Sequence, residues 1–341
     1  MSELASVPLG VTVAILGVLG PPGTLEVARR AESLGYRSVW VAEANGAEAF
    51  SSLAALSTAA PSLGLGTGVV ALQLRTPFVV AMAGATLQAL APEVDVLLGV
   101  GISSPVVTTR WHGAPYGERP LARVREYVTL VQAYLSGERV DHAGDFYTVK
   151  GARLGVRLGE RRPKVVVAAL NPGMLRLAGE VADGVLLNYL PASHVAWSVE
   201  QVRAGEAAAG RPPGSTTVYG YVHAGVCERG DGIGSARRDL FSYAVVDAYA
   251  RNFERAGFGD EVAAIRAAHG TGDREGALAA VSDRMVDAID VMGDADRVAA
   301  AVQAYVDAGV EVPVLIPLPW GSERMGVVDA TLRAAAGILA S

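Results

Sequence analysis

The stretch AALNPGMLRLAGEVADGVLLNYLP, residues 168–191, breaks an apolar run at Asn171-Pro172-Gly173. It then continues as a short amphipathic segment, Ala182-Asp183-Gly184 and a second apolar run. It reads as strand, helix, strand. Working outward, the alternation repeats along the whole chain. Val11 to Gly17 reads as strand one, followed by a helix from about Thr24 to Leu34 with Thr24 as its cap. RSVWVAEA is strand two, with a helix over 49–59 after it. LGLGTGVVA is strand three, Pro77 opens a helix to about Leu90, and VDVLLGVG is strand four. KVVVAAL, GVLLNYL, TVYGYVHAGV and VEVPVLIPLP are strands five to eight, and a last helix starts near Met325.

Eight apolar strands alternating with helices imply βα units and a parallel sheet. An open doubly wound sheet and a closed (β/α)8 barrel both answer that pattern. The count of eight and the length favour the α/β class in its (β/α)8 TIM-barrel form. The first strand lacks the GxGxxG turn of a dinucleotide-binding unit. The chain is expected to be a single barrel domain over 1–341, with insertions at about 102–162 after strand four and 227–293 after strand seven. In the first, TTRWHGAPYGERP reads as an ordered loop, LARVREYVTLVQAYLSGE as an amphipathic helix and 139–158 as a small hairpin.

Composition narrows the function. Half of the 341 residues are hydrophobic and 19% are charged, which suits a large buried core. The net charge of −6 argues against a nucleic-acid partner. One cysteine, Cys227, excludes an intrachain disulfide and suits a reducing compartment. VPLGVTVAILGVLGPPG is too short to span a bilayer and lacks the basic start of a signal peptide, so no membrane partner and a cytoplasmic location are expected. The five histidines are scattered, with neither an HExxH pair nor a Cys/His cluster, so no metal site is expected.

In a barrel of this kind the chemistry gathers where strands end at the C-terminal face. After strand two, Glu43 is either a proton handler at the mouth or a carboxylate that caps a loop or pairs with Arg75; Asn45 follows it. Gly64, Gly66 and Gly68 on strand three mark either a surface for a planar ligand at Gly68-Val69 or a layer of small residues. Ser103 and Ser104 after strand four offer donors, without a GxSxG elbow to activate a serine. In LNPG, Asn171 can cap a helix that Pro172 opens, leaving the Gly173 and Met174 N–H groups to favour an anion. Asn188 stands at the end of strand six.

These residues resemble the luciferase-like oxidoreductases, a (β/α)8 superfamily that includes luciferase-type monooxygenases and enzymes dependent on the deazaflavin coenzyme F-420. The likeness is densest in AESLGYRSVWVAE, GVGISSPVVTTRWHG with RVREYV, VVVAALNPGMLRLAGEVADGVLLN and DADRVAAAVQAYVDAGVEVPVL. The resemblance implies a flavin or deazaflavin at the mouth, its ring against a strand-three bulge that often holds a non-proline cis peptide, here Gly68–Val69. It implies cofactor contacts from Glu43, Gly68, Val69, Ser103, Ser104, Ala168, Asn171, Gly173, Met174 and Asn188. The substrate side would involve Asn45, Trp111, His112 and Tyr243; Tyr243, Tyr249 and Phe253 have helical spacing that suits core as well as pocket.

F-420 members that oxidise alcohols or sugar phosphates carry a histidine where this chain has Ala44. They also carry a glutamate where it has Ile102-Ser103-Ser104. With that base missing, the expectation is a reductase passing hydride from reduced F-420 to an activated C=C, C=N or C=O of a small organic molecule. A proton would come from solvent, His112 or Glu43. An FMN-dependent monooxygenase served by a separate reductase is the alternative, and a catalytically silent flavin-binding subunit is another. The family further implies a homodimer. The F-420 polyglutamate tail would prefer a basic groove, for which Arg75, Arg110, Arg153, Arg157, Arg161 and Arg162 are candidates; the RLGERRPK loop reads equally as solvated charge.

Overall fold

Strands buried on both faces need an apolar residue at nearly every position, and that is the pattern of a parallel sheet wrapped by helices. In the computed structural model, which describes residues 7–339, eight such strands form a closed ring. They are β1 Gly10–Thr12, β2 Ser38–Val41, β3 Gly64–Thr67, β4 Val96–Gly101, β5 Lys164–Ala168, β6 Gly184–Leu187, β7 Thr217–Val226 and β8 Val312–Pro317. Every neighbouring pair is parallel, and β8 pairs with β1 to complete the barrel. Each strand expected from the sequence is present.

Local chemistry sets the helix starts. Thr76 accepts from the Val79 N–H and Pro77 occupies the first turn of Pro77–Leu90, while the Glu48 carboxylate caps Ala49–Ala59 through Phe50 and Ser51. Three expectations need correction. Strand one ends at Thr12, and a helical turn over Leu16–Leu19 follows it. The next helix, Gly20–Ser33, starts earlier than Thr24 because Pro21 and Pro22 fit its first turn; the Thr24 hydroxyl bonds back to the Pro21 carbonyl instead of capping. The TTRW segment is a wide helical turn, Val106–Trp111, closed by the His112 N–H on the Val107 carbonyl at 3.1 Å.

Side chains segregate into three cores. The largest lies between the barrel and its helices. A second fills the barrel itself with Trp40, Leu97, Val166, Leu186, Tyr219, Tyr221, Val314 and Ile316. The third belongs to the helices between β7 and β8, where Leu240, Phe253, Phe258, Ile265 and Met285 pack together. Phe253 is therefore core rather than pocket. The hairpin is present as Val140–Ala143 against Thr148–Ala152. No helix among the described residues is long and apolar enough to cross a membrane.

Inside the barrel the Trp40 ring meets Tyr219 edge-on at 5.1 Å and lies flat against Gly66. A Cβ at Gly66 would stand 2.4 Å from that ring. Gly66→Val should destabilise the fold by about 1–3 kcal/mol, the usual cost of overpacking, measured by equilibrium urea unfolding.

Candidate functional site

The mouth is built on the end of β3. The Gly68–Val69 peptide is cis. The Tyr221 hydroxyl, fully buried on β7, donates to the Gly68 carbonyl at 2.8 Å, and burial pushes that hydroxyl's pKa up, so it stays a donor. A Cβ at Gly68 would lie 1.9 Å from the same oxygen. Glycine is needed here for the aromatic beneath it, whatever lies above. Val69 then adjoins Gly101 and Ala168, since a Cβ on Gly101 would sit 3.0 Å from Val69 and 3.2 Å from Ala168. These residues from β3, β4 and β5 make a floor of small side chains. Ser103 adjoins it through a long contact of its N–H with the Gln73 side chain at 3.5 Å, and Gln73 Nε2 is buried without a partner. Ser104 turns the other way, its hydroxyl accepting from Val107 N–H and its carbonyl from Thr108, so it shapes the following turn.

Glu43 forms the pair with Arg75 that the sequence left open as its alternative reading. Arg75 grips it with two hydrogen bonds, Nε to Oε1 at 3.0 Å and Nη2 to Oε2 at 2.8 Å, and Ala49 N–H adds a third. Arg75 also pairs with Glu48, and hydrogen bonding to Glu43 raises the arginine's pKa. Both carboxylate oxygens are thus taken up by donors in a bidentate pair. His112 arches over the end of β2, its Nε2 donating to the Ala44 carbonyl at 2.6 Å, which leaves Nδ1 as its free ring nitrogen. Trp111 beside it is 55% exposed, and Asn45 is exposed on the same rim.

The Asn171 turn differs from its reading as a cap. Its side chain makes no capping bond; it donates to the Ala248 carbonyl at 3.1 Å and accepts from Arg255 Nη2 at 2.6 Å. Met174 N–H is spent on the Asn171 carbonyl, so Gly173 carries the exposed N–H at this helix start. The missed residue is Arg255, contributed by the insertion after β7. Burial and the neighbouring Arg251 hold its pKa below the usual value, so its charge lacks full compensation. The only sequence signal was a pair of arginines in RNFER, inside a segment read as plain helix. Asn188 Oδ1 accepts from Tyr189 N–H and from His223 Nε2, each at 2.8 Å, which turns the amide NH2 away as a donor. Tyr243 packs against Tyr189 with ring centroids 3.9 Å apart.

The arginine groove is divided between the two ends of the barrel. Arg161 and Arg162 precede β5 at its N-terminal end, where Arg161 pairs with Asp95 at 3.1 Å and Arg162 bonds the Ser136 carbonyl. Arg153 bonds Gly137 at that same end, beyond the helix Pro120–Leu135. A strand and its return helix run in opposite directions, which puts these three across the barrel from the mouth. Arg75 is neutralised by its two glutamates, and Arg110 is exposed on the mouth loop.

A sequence model described as luciferase-like monooxygenase matches residues 16–311. The chain is 30% identical over 287 residues to a 5,10-methylenetetrahydromethanopterin reductase of Methanolobus tindarius, across 83% of this chain and 86% of the relative. A solved coenzyme F-420-dependent tetrahydromethanopterin reductase from Methanopyrus kandleri superposes with a TM-score of 0.78 at 20% identity, covering 97% of this chain and 98% of that one. A solved F-420-dependent secondary alcohol dehydrogenase superposes at 0.72 and 19%, covering 97% and 99%. At these identities the superpositions show a shared fold.

Glu48 makes the mouth's acid sensitivity testable. Against desolvation, which would raise it, bonds from Ser51 and Phe50 and the charge of Arg75 lower its pKa from 4.5 to about 2. A depressed carboxylate stabilises fully above pH 4.5 and loses that contribution as pH falls toward about 2. Glu48→Gln should therefore flatten the acid limb of stability measured by urea unfolding across that window.

Proposed function

We propose a function for a chain that belongs to the luciferase-like monooxygenase family: it is an oxidoreductase dependent on coenzyme F-420, working as a reductase on a small organic molecule. The observation that carries the reading is the pairing at the mouth of a small-residue floor, Val69, Gly101 and Ala168, with an under-compensated cation and free N–H at Arg255 and Gly173. A flat ring fits the first and a phosphate the second. Asn188 adds an oriented NH2 donor between them, and Gln73 an unpartnered one beside Ser103.

When bound, the deazaflavin supplies a hydride rather than activated oxygen. The protein's contribution is placement. Val69 and the glycine beside it back the ring, and Tyr221 holds that backing still. Arg75 and the Ala49 N–H occupy both oxygens of Glu43, so this carboxylate is not presented to an alcohol as a base. That favours reduction of a C=C, C=N or C=O already activated toward hydride, with any proton coming from solvent, passed on through His112 only when its ring carries both protons. Trp111 and His112 on their turn cover the substrate side, and Tyr243 borders it from the insertion. The chain acts as one barrel domain over 1–341, as a homodimer in the cytoplasm and without a nucleic-acid partner; the net charge of −6 and the lone cysteine support the last two.

Titration with F-420 and with FMN, then single-turnover reduction with each reduced cofactor with and without oxygen, tests the reading. F-420 binding with oxygen-independent oxidation of the reduced cofactor is expected. Oxygen-dependent product from reduced FMN would instead establish the monooxygenase, and binding of neither cofactor a silent subunit. Arg255→Ala should weaken F-420 binding about 10- to 100-fold, the worth of a hydrogen bond to a charged group, and should leave the far-UV spectrum unchanged.

A further inference from the structure

Three side chains above the barrel core form a mostly buried group that makes no direct contact assigned to the cofactor. Asp290 is 0% exposed, and neither of its carboxylate oxygens has a hydrogen-bond partner. His223 Nδ1 is also buried and unbonded, although it lies 3.1 Å from Asp290 Oδ1. Asp239, half-buried on the insertion helix Arg229–Ala244, completes the set. One donor atom from each of the three lies within 4.8 Å of the other two.

The protonation of the imidazole follows from its neighbours. Tyr189 N–H donates to Asn188 Oδ1, so that atom is the carbonyl oxygen of the amide. His223 Nε2 points at the same oxygen and must carry a proton. In the neutral ring, Nδ1 is then a lone pair facing two carboxylates, a costly arrangement when buried and uncompensated. A direct Nδ1–H to Oδ1 bond needs the N–H close to the line between the atoms. At 3.1 Å the two make no such bond, so that alignment is missing. A shared cation wants a different geometry. With each donor about 2.0–2.2 Å from the ion, two ligand atoms form an edge of its coordination shell about 3 Å long, with the ion off their line.

The surroundings are those of oriented metal ligands. The ring's Nε2–H rests on a carbonyl oxygen, and the Tyr189 hydroxyl donates to Asp239 Oδ2 at 2.8 Å. We propose that His223 Nδ1, Asp239 and Asp290 bind a divalent first-row transition-metal ion. One imidazole with two carboxylates suits Zn2+, Mn2+ or Fe2+ better than Mg2+ or Ca2+. The ion neutralises the two buried carboxylates and ties β7 and the strand Asp290–Gly293 to the insertion helix. The site escaped the sequence reading because its ligands come from three separate elements.

Protein stripped with a chelator is titrated with Zn2+ by calorimetry and with Mn2+ by pulsed EPR, with Mg2+ as the control. Stoichiometric Zn2+ binding, a rise in melting temperature and a single imidazole nitrogen coupling to Mn2+ are expected. Asp239→Asn should weaken binding at least about 10-fold in a protein with an unchanged far-UV spectrum. His223→Gln should remove the nitrogen coupling. No saturable binding of Zn2+ or Mn2+ by the stripped chain overturns the proposal, as does binding that both variants leave unaltered.

Discussion

The hydroxyl of Tyr221 on the carbonyl of Gly68 is the contact from which the mouth of this barrel is built. The ring of Tyr221 and that of Trp40 fill the barrel's axis, and both press upon β3. Only glycine leaves them room at positions 66 and 68. The bulge at Gly68–Val69 is then held from below by Tyr221 and from the side by the Glu43 N–H on the Val69 carbonyl at 3.3 Å. Everything a flat ligand could rest on therefore depends on packing in a layer the ligand never touches.

Charge at the rim is distributed with equal economy. Arg75 pairs with both Glu43 and Glu48 on the β2–β3 side. On the opposite side, Arg255 reaches in from the insertion, where it bonds the neutral amide of Asn171 and lies over the Trp197 ring. One arginine is spent on two carboxylates and the other, among the described residues, faces no carboxylate within bonding distance. The same insertion clamps the β6 end, where Asn252 donates to the Tyr189 carbonyl at 2.7 Å. Its helices have their own core, so they present these groups from a rigid body rather than a loose loop.

Much of this was legible in the chain. The eight strands could be read because strands buried on both faces are continuously apolar, and the helix at Pro77 because proline and threonine mark its start. The plainer alternatives for Glu43 and the strand-three glycines, a pair with Arg75 and small residues in the barrel layer, were readable too, and the structure contains both features. The cap at Thr24 misled because the two prolines before it also suit a first turn. Asn171 misled for another reason: a residue shaped for capping can be claimed by a distant partner, here Ala248 and Arg255.

Periodicity by itself determined the alternation of strands and helices, and the count of eight favoured the closed barrel; the class of chemistry was read from the resemblance of its motifs to a known family. These are local or additive properties: burial on two faces, a turn residue, a count of strands. Which charges are free and which are spent was decided only by the tertiary structure. Arg161 and Arg75 are alike in sequence, yet one sits at the far end of the barrel and the other is neutralised by two carboxylates. Arg255, Gln73 and the group of His223, Asp239 and Asp290 acquire meaning only when the closed barrel brings distant strands and the insertion together. Electrostatics and hydrogen bonding depend on distance in space, and sequence spacing reports that distance only within a single element.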